Sequence, residues 1–172
     1  MDIHVEIKLE RIFEVTHQQL LRYWIEPKHL KYFFVPKPCV LEHCDIDPVV
    51  GGRFNTVVHA NGQLIYNQGI ILQKDELHLV LTDSYSEGWI PNPTPFVTLM
   101  LSFTPMGEHR TLCQIIARHH AGNHAEEFAY YDFQLGWHIV LEQLTDYIER
   151  LKPKTKRISR RSSNTKLSTY TI

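Results

Sequence analysis

Apolar positions recur at two different periods along this chain, and the change from one to the other frames its fold. In residues 4–14, Val5, Ile7 and Leu9 alternate with His4, Glu6, Lys8 and Glu10. A period of two predicts a strand with one dry face and one wet face. Thr16 then offers a hydroxyl as a helix N-cap, and HQQLLRYWI follows at helical spacing with Leu20, Tyr23 and Trp24 on its apolar side. Glu26-Pro27 opens a second short helix, with proline at an early position where its missing N–H costs nothing. That helix carries Leu30, Phe33 and Phe34, and Pro36 and Pro38 stop it.

Six further strands are expected at 39–46, 53–59, 63–73, 77–83, 96–105 and 110–119. Asp47-Pro48 is a turn, Gly51-Gly52 supplies the freedom for a bend or bulge, and Asn61-Gly62 is the strongest hairpin signal in the chain. Lys74-Asp75-Glu76 is a further turn, and SEGWIPNPTP reads as an irregular loop. The period then changes. From about Asn123 to Leu151, Tyr130, Phe133, Trp137, Leu141, Leu144, Ile148 and Leu151 recur at steps of three and four, one stripe over about six helical turns. Glu126 and Glu127 near the start and Arg150 at the end match the helix dipole. The order is strand, two short helices, six strands and a long helix. A meander of strands has one apolar face to cover and the helix one apolar stripe to bury, so the fold class is α+β with the sheet wrapped on the helix.

Composition narrows this further. A chain of 172 residues, 43% hydrophobic, buries a core without staples. The N-terminus MDIHVEIKLER lacks the basic and apolar regions of a signal peptide, and no apolar run reaches membrane-spanning length, so a cytoplasmic protein is expected. Cys39, Cys44 and Cys113 are odd in number and form no framework; Cys39 and Cys113, in predicted strands, read as buried inert thiols. Charge is uneven. Residues 1–151 hold eleven Lys/Arg and all nineteen Asp/Glu, a net −8, while 152–172 hold seven Lys/Arg and no acid, a net +7. Two regions follow: a domain over 1–152 and a basic, Ser/Thr-rich tail over 153–172, expected to be mostly disordered.

Several segments, in this order and spacing, resemble a known family. They are Glu26-Pro27-x-x-Leu30-x-x-Phe33-Phe34, Asp47-Pro48-Val49-Val50-Gly51-Gly52-Arg53-Phe54, Gly69, Thr82-Asp83, Glu87-Gly88-Trp89, and Gly136-Trp137-x-x-x-Leu141-x-x-Leu144-x-x-Tyr147. The pattern is similar to the SRPBCC (START-like) superfamily, in the branch like the C-terminal domain of the heat-shock-protein-90 ATPase activator, over about residues 7–151. Two departures touch packing and turn stiffness: Phe33-Phe34 stand where tryptophans are frequent, and Val50 where proline often precedes Gly-Gly. The resemblance implies a helix-grip fold: a seven-stranded curved antiparallel sheet around the C-terminal helix, with two small helices closing one end and a ligand cavity between sheet and helix.

His119-His120-x-x-x-His124 and His43-Cys44 are the densest metal-type groupings; without Cys-x-x-Cys or His-Glu-x-x-His they read as polar histidines, and no metal or cofactor is expected. No nucleophile elbow or phosphate-binding glycine loop occurs, so no catalytic residue is assigned and enzymatic activity stays open. Phe33, Phe34, Tyr130, Phe133 and Trp137 are the candidate apolar pocket wall, with Trp89 on a loop that could close over it. Arg53, Tyr66, Asp83, His119 and His138 are candidates for polar or proton-transfer groups there, against the plain alternative of wet-face and strand-end charges.

Three functions remain in view. The first is binding of a small hydrophobic molecule, as yet unidentified, in that cavity. The second is a cyclase- or aromatase-type enzyme using the same cavity, which would show convergent ionisable groups at its floor. The third is a protein-interaction module like the chaperone activator, which would show an exposed apolar patch; no counterpart of that activator's other domain is expected within these 172 residues. The chain is expected as a monomer or homodimer. No nucleic-acid partner is expected for the domain, and weak contact through the basic tail is the exception.

Overall fold

A computed structural model of the chain describes residues 4–120 and 126–154, with the side chains of 126–131 left aside. β1 (His4–Phe13) pairs antiparallel with β10 (Thr111–His120), from His4↔His120 to Phe13↔Thr111. β10 pairs with β9 (Val97–Pro105), β9 with β6 (His78–Thr82), and β6 with β5 (Ile70–Lys74), a five-stranded sheet in the order β1-β10-β9-β6-β5. A second sheet, β2-β3-β4, is built from Val40–Ile46, Phe54–Ala60 and Gln63–Asn67. β7 (Tyr85–Ser86) and β8 (Ile90–Pro91) form a small hairpin inside the proline-rich loop.

The expected single seven-stranded sheet is therefore corrected to two larger sheets, five- and three-stranded, and the stretch 63–73 is not one strand but two. The break falls at Gln68-Gly69. A Cβ on Gly69 would lie 2.6 Å from the Thr82 carbonyl oxygen and 3.3 Å from that of Phe54, so three backbones meet here where only glycine fits. Gly52 is equally confined: its Cβ would lie 2.2 Å from the Asp47 carbonyl oxygen. Across this junction Phe54 N–H donates to Gly69 O (2.8 Å), Ile71 N–H to Gly52 O (3.0 Å) and Gly51 N–H to Ile71 O (2.7 Å), and Arg53 bridges Ile70. The two sheets are hinged along this line and curve as one surface.

Local signals act as their chemistry requires. Asn61 (φ 52°) and Gly62 (φ 74°) both take the positive φ that a two-residue hairpin of the I′ kind needs, and they join β3 to β4. Thr16 and Gln19 close a reciprocal capping box at the start of α1 (His17–Ile25). α2 (Pro27–Leu30) follows, and Trp24 packs edge-on against Phe33 at 5.1 Å, both almost wholly buried.

The long helix α3 (Glu126–Leu151) lies in the concave face of this surface. In its C-terminal half Val140, Leu141, Leu144, Tyr147 and Ile148 are buried in the same cluster as Ile7, Leu101, Phe103 and Ile115 of the five-stranded sheet. Each such side chain contributes roughly 1.5–3 kcal/mol on removal from water. Leu151, placed on the stripe by its spacing, is half exposed at the helix end. Gln143 is the polar exception in this buried stretch. Its Nε2 donates to the carbonyls of Phe33 (3.0 Å) and Val35 (2.8 Å), and its Oε1 accepts the Lys37 N–H (3.0 Å). The 33–37 segment, which has no ladder of its own, is thus fastened to the helix by one amide.

Cys113 is buried, and burial pushes its thiol up to about 12; half-buried Cys44 is pushed up equally. Cys39 departs from expectation: it precedes β2 rather than lying in a strand. No helix among the described residues is long and apolar enough to cross a membrane. The predicted tail from 155 onward and the expected helix start at Asn123 lie outside the described residues.

The Gln143 clamp predicts an asymmetry between neighbours. Gln143→Ala removes the partner of the buried Phe33 carbonyl and of the part-buried Val35 carbonyl and Lys37 N–H, and is expected to cost about 2–4 kcal/mol in urea denaturation. Glu142→Ala, one residue away and exposed, is expected to change stability by less than about 0.5 kcal/mol.

Candidate functional site

A cavity of about 640 Å³ lies between the N-terminal half of α3 and the two larger sheets. Strand alternation sets two of its walls. Phe54, Thr56, Val58 and Ala60 face it from β3, and Ile65 and Asn67 from β4; Val58↔Ile65 and Thr56↔Asn67 are cross-strand pairs. Leu81, Leu99 and His119 close the floor from the five-stranded sheet, and Phe133, Gly136 and Trp137 form the helix wall. Phe34, Pro36 and Cys39 line it from the segment that Gln143 fastens. The lining is predominantly apolar.

His119 is the buried polar group of this site, 2% exposed at the end of β10. Its Nε2 accepts the indole N–H of Trp137 (2.9 Å), which puts the ring proton on Nδ1. The imidazole stacks on Phe133 at 3.9 Å, and Phe96 meets it edge-on at 4.8 Å. Nδ1 is buried without a hydrogen-bond partner among the described residues. Burial holds the ring down to about 4, opposed only in part by the Phe96 backbone, so His119 is neutral at pH 7.

Asp83 also lines the cavity, with its carboxylate committed elsewhere. It accepts the Phe96 N–H (2.8 Å to Oδ2) and the Val97 N–H (3.0 Å to Oδ1), and its own carbonyl accepts from Asn92 Nδ2 (2.8 Å). These bonds pin the base of the 84–96 loop. Desolvation raises the carboxyl, although both backbone N–H groups oppose the rise. Thr82 Oγ1 and Thr98 Oγ1 share a 2.8 Å hydrogen bond beside it.

Of the residues singled out from the sequence, Phe34, Asp83, His119, Phe133 and Trp137 come together around one cavity. Five others lie elsewhere. Phe33 turns into the core against Trp24. Arg53 sits opposite in parity to Phe54 and pairs with Asp45 (2.7 Å) and Glu87 (3.7 Å). Tyr66, between the lining residues Ile65 and Asn67, points outward and is 73% exposed. Trp89, at φ 60°, lays its ring over the Gly51 turn, 3.5 Å from where a Cβ there would sit, and does not close the cavity. His138 is exposed on α3, and the Tyr130 side chain lies outside the described ones. His119 and His120 are strand neighbours on opposite faces, and His124 lies outside the described residues.

Sequence reasoning missed the β3–β4 wall, Phe96 and Gly136. The wall was readable: the Asn61-Gly62 hairpin sets the register, and residues of Phe54's parity follow from it. Phe96 had no such signal, because the loop before it sets its direction.

The depressed His119 makes stability depend on pH. The unfolded ring takes up a proton near the ordinary 6.5 and the folded ring only near 4, so its contribution is complete above about pH 6.5 and falls by roughly 3 kcal/mol as pH drops to 4. His29, also lowered by burial, acts in the same direction. Glu26, held at about 2 by Arg22, begins to lose its stabilisation only below its usual range near 4.5. Urea denaturation between pH 6.5 and 5 is expected to show a falling stability whose slope flattens in His119→Gln. An unchanged slope would mean that the ring is solvated.

The model of the family described as Activator of Hsp90 ATPase homolog 1-like protein matches residues 14–149. Comparison with curated proteins gives no match. Among solved structures, a Nitrosomonas europaea protein determined by crystallography is 26% identical, with a TM-score of 0.75 over 85% of this chain and 95% of its own. A Staphylococcus aureus protein of unknown function superposes with a TM-score of 0.70 at 16% identity, covering 87% of this chain and 96% of that one. The solution structure of an AHSA1-like protein from Aeromonas hydrophila gives 0.64 at 17% identity, covering 85% and 93%. With its helix-grip architecture and a family match over most of its length, this chain belongs to the family of Activator of Hsp90 ATPase homolog 1-like proteins.

Proposed function

We propose that the chain binds a small hydrophobic molecule in the cavity between the sheets and α3. The observation that carries this reading is a largely apolar space of about 640 Å³ beside a continuous cluster of buried side chains. Protein interiors pack like organic crystals, and an empty volume of this size forfeits contacts that a folded chain ordinarily keeps. Its size suits a drug-sized ligand. Binding is favoured over cyclase- or aromatase-type catalysis by the state of the two buried ionisable groups. His119 Nε2 holds the Trp137 N–H, and the Asp83 oxygens hold backbone N–H groups, so both are fixed in structural bonds.

Gly136 offers a clean test. It lines the cavity, and a Cβ there would meet only Pro36 Cγ, at an ordinary 3.8 Å. A larger side chain would grow into the open space, and replacing a mid-helix glycine gains up to about 1 kcal/mol of helix propensity. Gly136→Leu is therefore expected to keep or raise Tm while abolishing the hydrophobic adduct retained by the unaltered chain in native mass spectrometry. An adduct held equally by both would place the ligand elsewhere; a clean apo mass that no lipid or aromatic probe stabilises would remove the reading.

The protein-interaction alternative has an observation of its own. Val49, Val50, Trp89 and Ile90 are each more than half exposed on the turns joined by the Trp89–Gly51 contact. It predicts that the chain raises the ATPase rate of a heat-shock-protein-90 partner and that Trp89→Ser lowers the effect. A rate unchanged at tenfold excess of the chain would end that alternative.

A further inference from the structure

The charge of the cavity wall says more about its ligand than its shape does. No Lys or Arg side chain among the described residues lines it. Arg53, the basic residue adjoining the β3 wall, is turned away and held by Asp45 and Glu87. α3 begins with Glu126 and Glu127, and Arg150 at its far end is its only Lys or Arg. His119 is neutral and its ring proton sits on a buried nitrogen, so it supplies no positive charge. Asp83 has its carboxylate occupied by two backbone N–H groups, and Asp132 stands exposed at the rim.

What the wall does offer is neutral polarity. Asn67 Nδ2 donates to Thr56 Oγ1 at 3.3 Å across the β3–β4 pair. That bond leaves the Thr56 hydroxyl hydrogen and the Asn67 Oδ1 without another partner among the described residues, one donor and one acceptor side by side in an apolar surface. Resting on the cavity reading above, we infer that the cavity selects an uncharged molecule, an apolar body carrying a hydroxyl or carbonyl that pairs with Thr56 and Asn67, and rejects carboxylates and amines of the same body. A carboxylate would be stripped of water with no counter-charge. An ammonium would find one carboxylate already hydrogen-bonded and the other in solvent, and it would keep its preference for water.

Three probes of one chain length test this: decan-1-ol, decanoate and decylammonium, below their aggregation concentrations, displacing Nile red from the full chain at pH 7.5. Decan-1-ol is expected to displace the dye at a concentration at least about tenfold lower than either ion. Asn67→Lys, on an exposed edge strand, adds the missing cation and is expected to bring decanoate level with decan-1-ol or below it; Ile65→Lys on the same wall should do likewise. Decanoate or decylammonium matching decan-1-ol in the unaltered chain would overturn the inference and leave the cavity reading standing. Failure of the dye and all three probes to bind would withdraw the cavity reading, and this inference with it.

Discussion

Three backbones converge at Gly69, and the shape of the molecule follows from that approach. With the Thr82 and Phe54 carbonyls so close to its Cα, the position tolerates no side chain. The chain can therefore leave β3 as a partner and take up β6 without interrupting its hydrogen bonds for more than two residues. The bend turns β3 and β4 away from the five-stranded sheet. Both larger sheets present an inner face, and the space between them exceeds what one helix can fill.

α3 divides that space. Its C-terminal half carries Leu141, Leu144 and Ile148 at core spacing and is sealed against β1, β9 and β10. Its N-terminal half places Gly136 where a larger residue would have filled the gap. The cost of leaving the cavity open is offset by the buried core beside it, and by polar clamps that hold the cavity's edges without filling it. Gln143 fixes the 33–37 segment from the helix side, and Asp83 fixes the 84–96 loop from the sheet side. The Trp137–His119–Phe133 group joins sheet to helix where the two walls come closest. A fold held this way can keep an apolar space in a defined shape, as binding requires.

The same group shows why a buried histidine need not be a catalyst. Its environment lowers its basicity, its Nε2 is committed to an indole N–H, and its face is covered by an aromatic ring. These features make it a rigid, uncharged part of the wall. Together with the absence of Lys and Arg from the described lining, they give the cavity a neutral character that an apolar composition alone would not convey.

Much of this was legible in the chain itself. Period-two and period-3.6 patterns placed most of the strands and all three helices, because each element must segregate its apolar side whatever its neighbours do. Asn61-Gly62 announced its hairpin, since few other residue pairs accept two positive φ angles. Phe34, Phe133 and Trp137 were recognisable as wall candidates from their places on the closing segment and the grip helix. What only the tertiary structure decided was direction and distance across elements. A hydrophobic run such as 63–73 reads as one strand, because nothing local reveals that Gly69 faces two other backbones. Arg53 and Trp89 looked like site residues until ion pairs with Asp45 and Glu87 and a contact with Gly51 drew them elsewhere. Periodicity is a property of neighbours along the chain, whereas a cavity is made by residues far apart in sequence, and only the packed fold brings those into register.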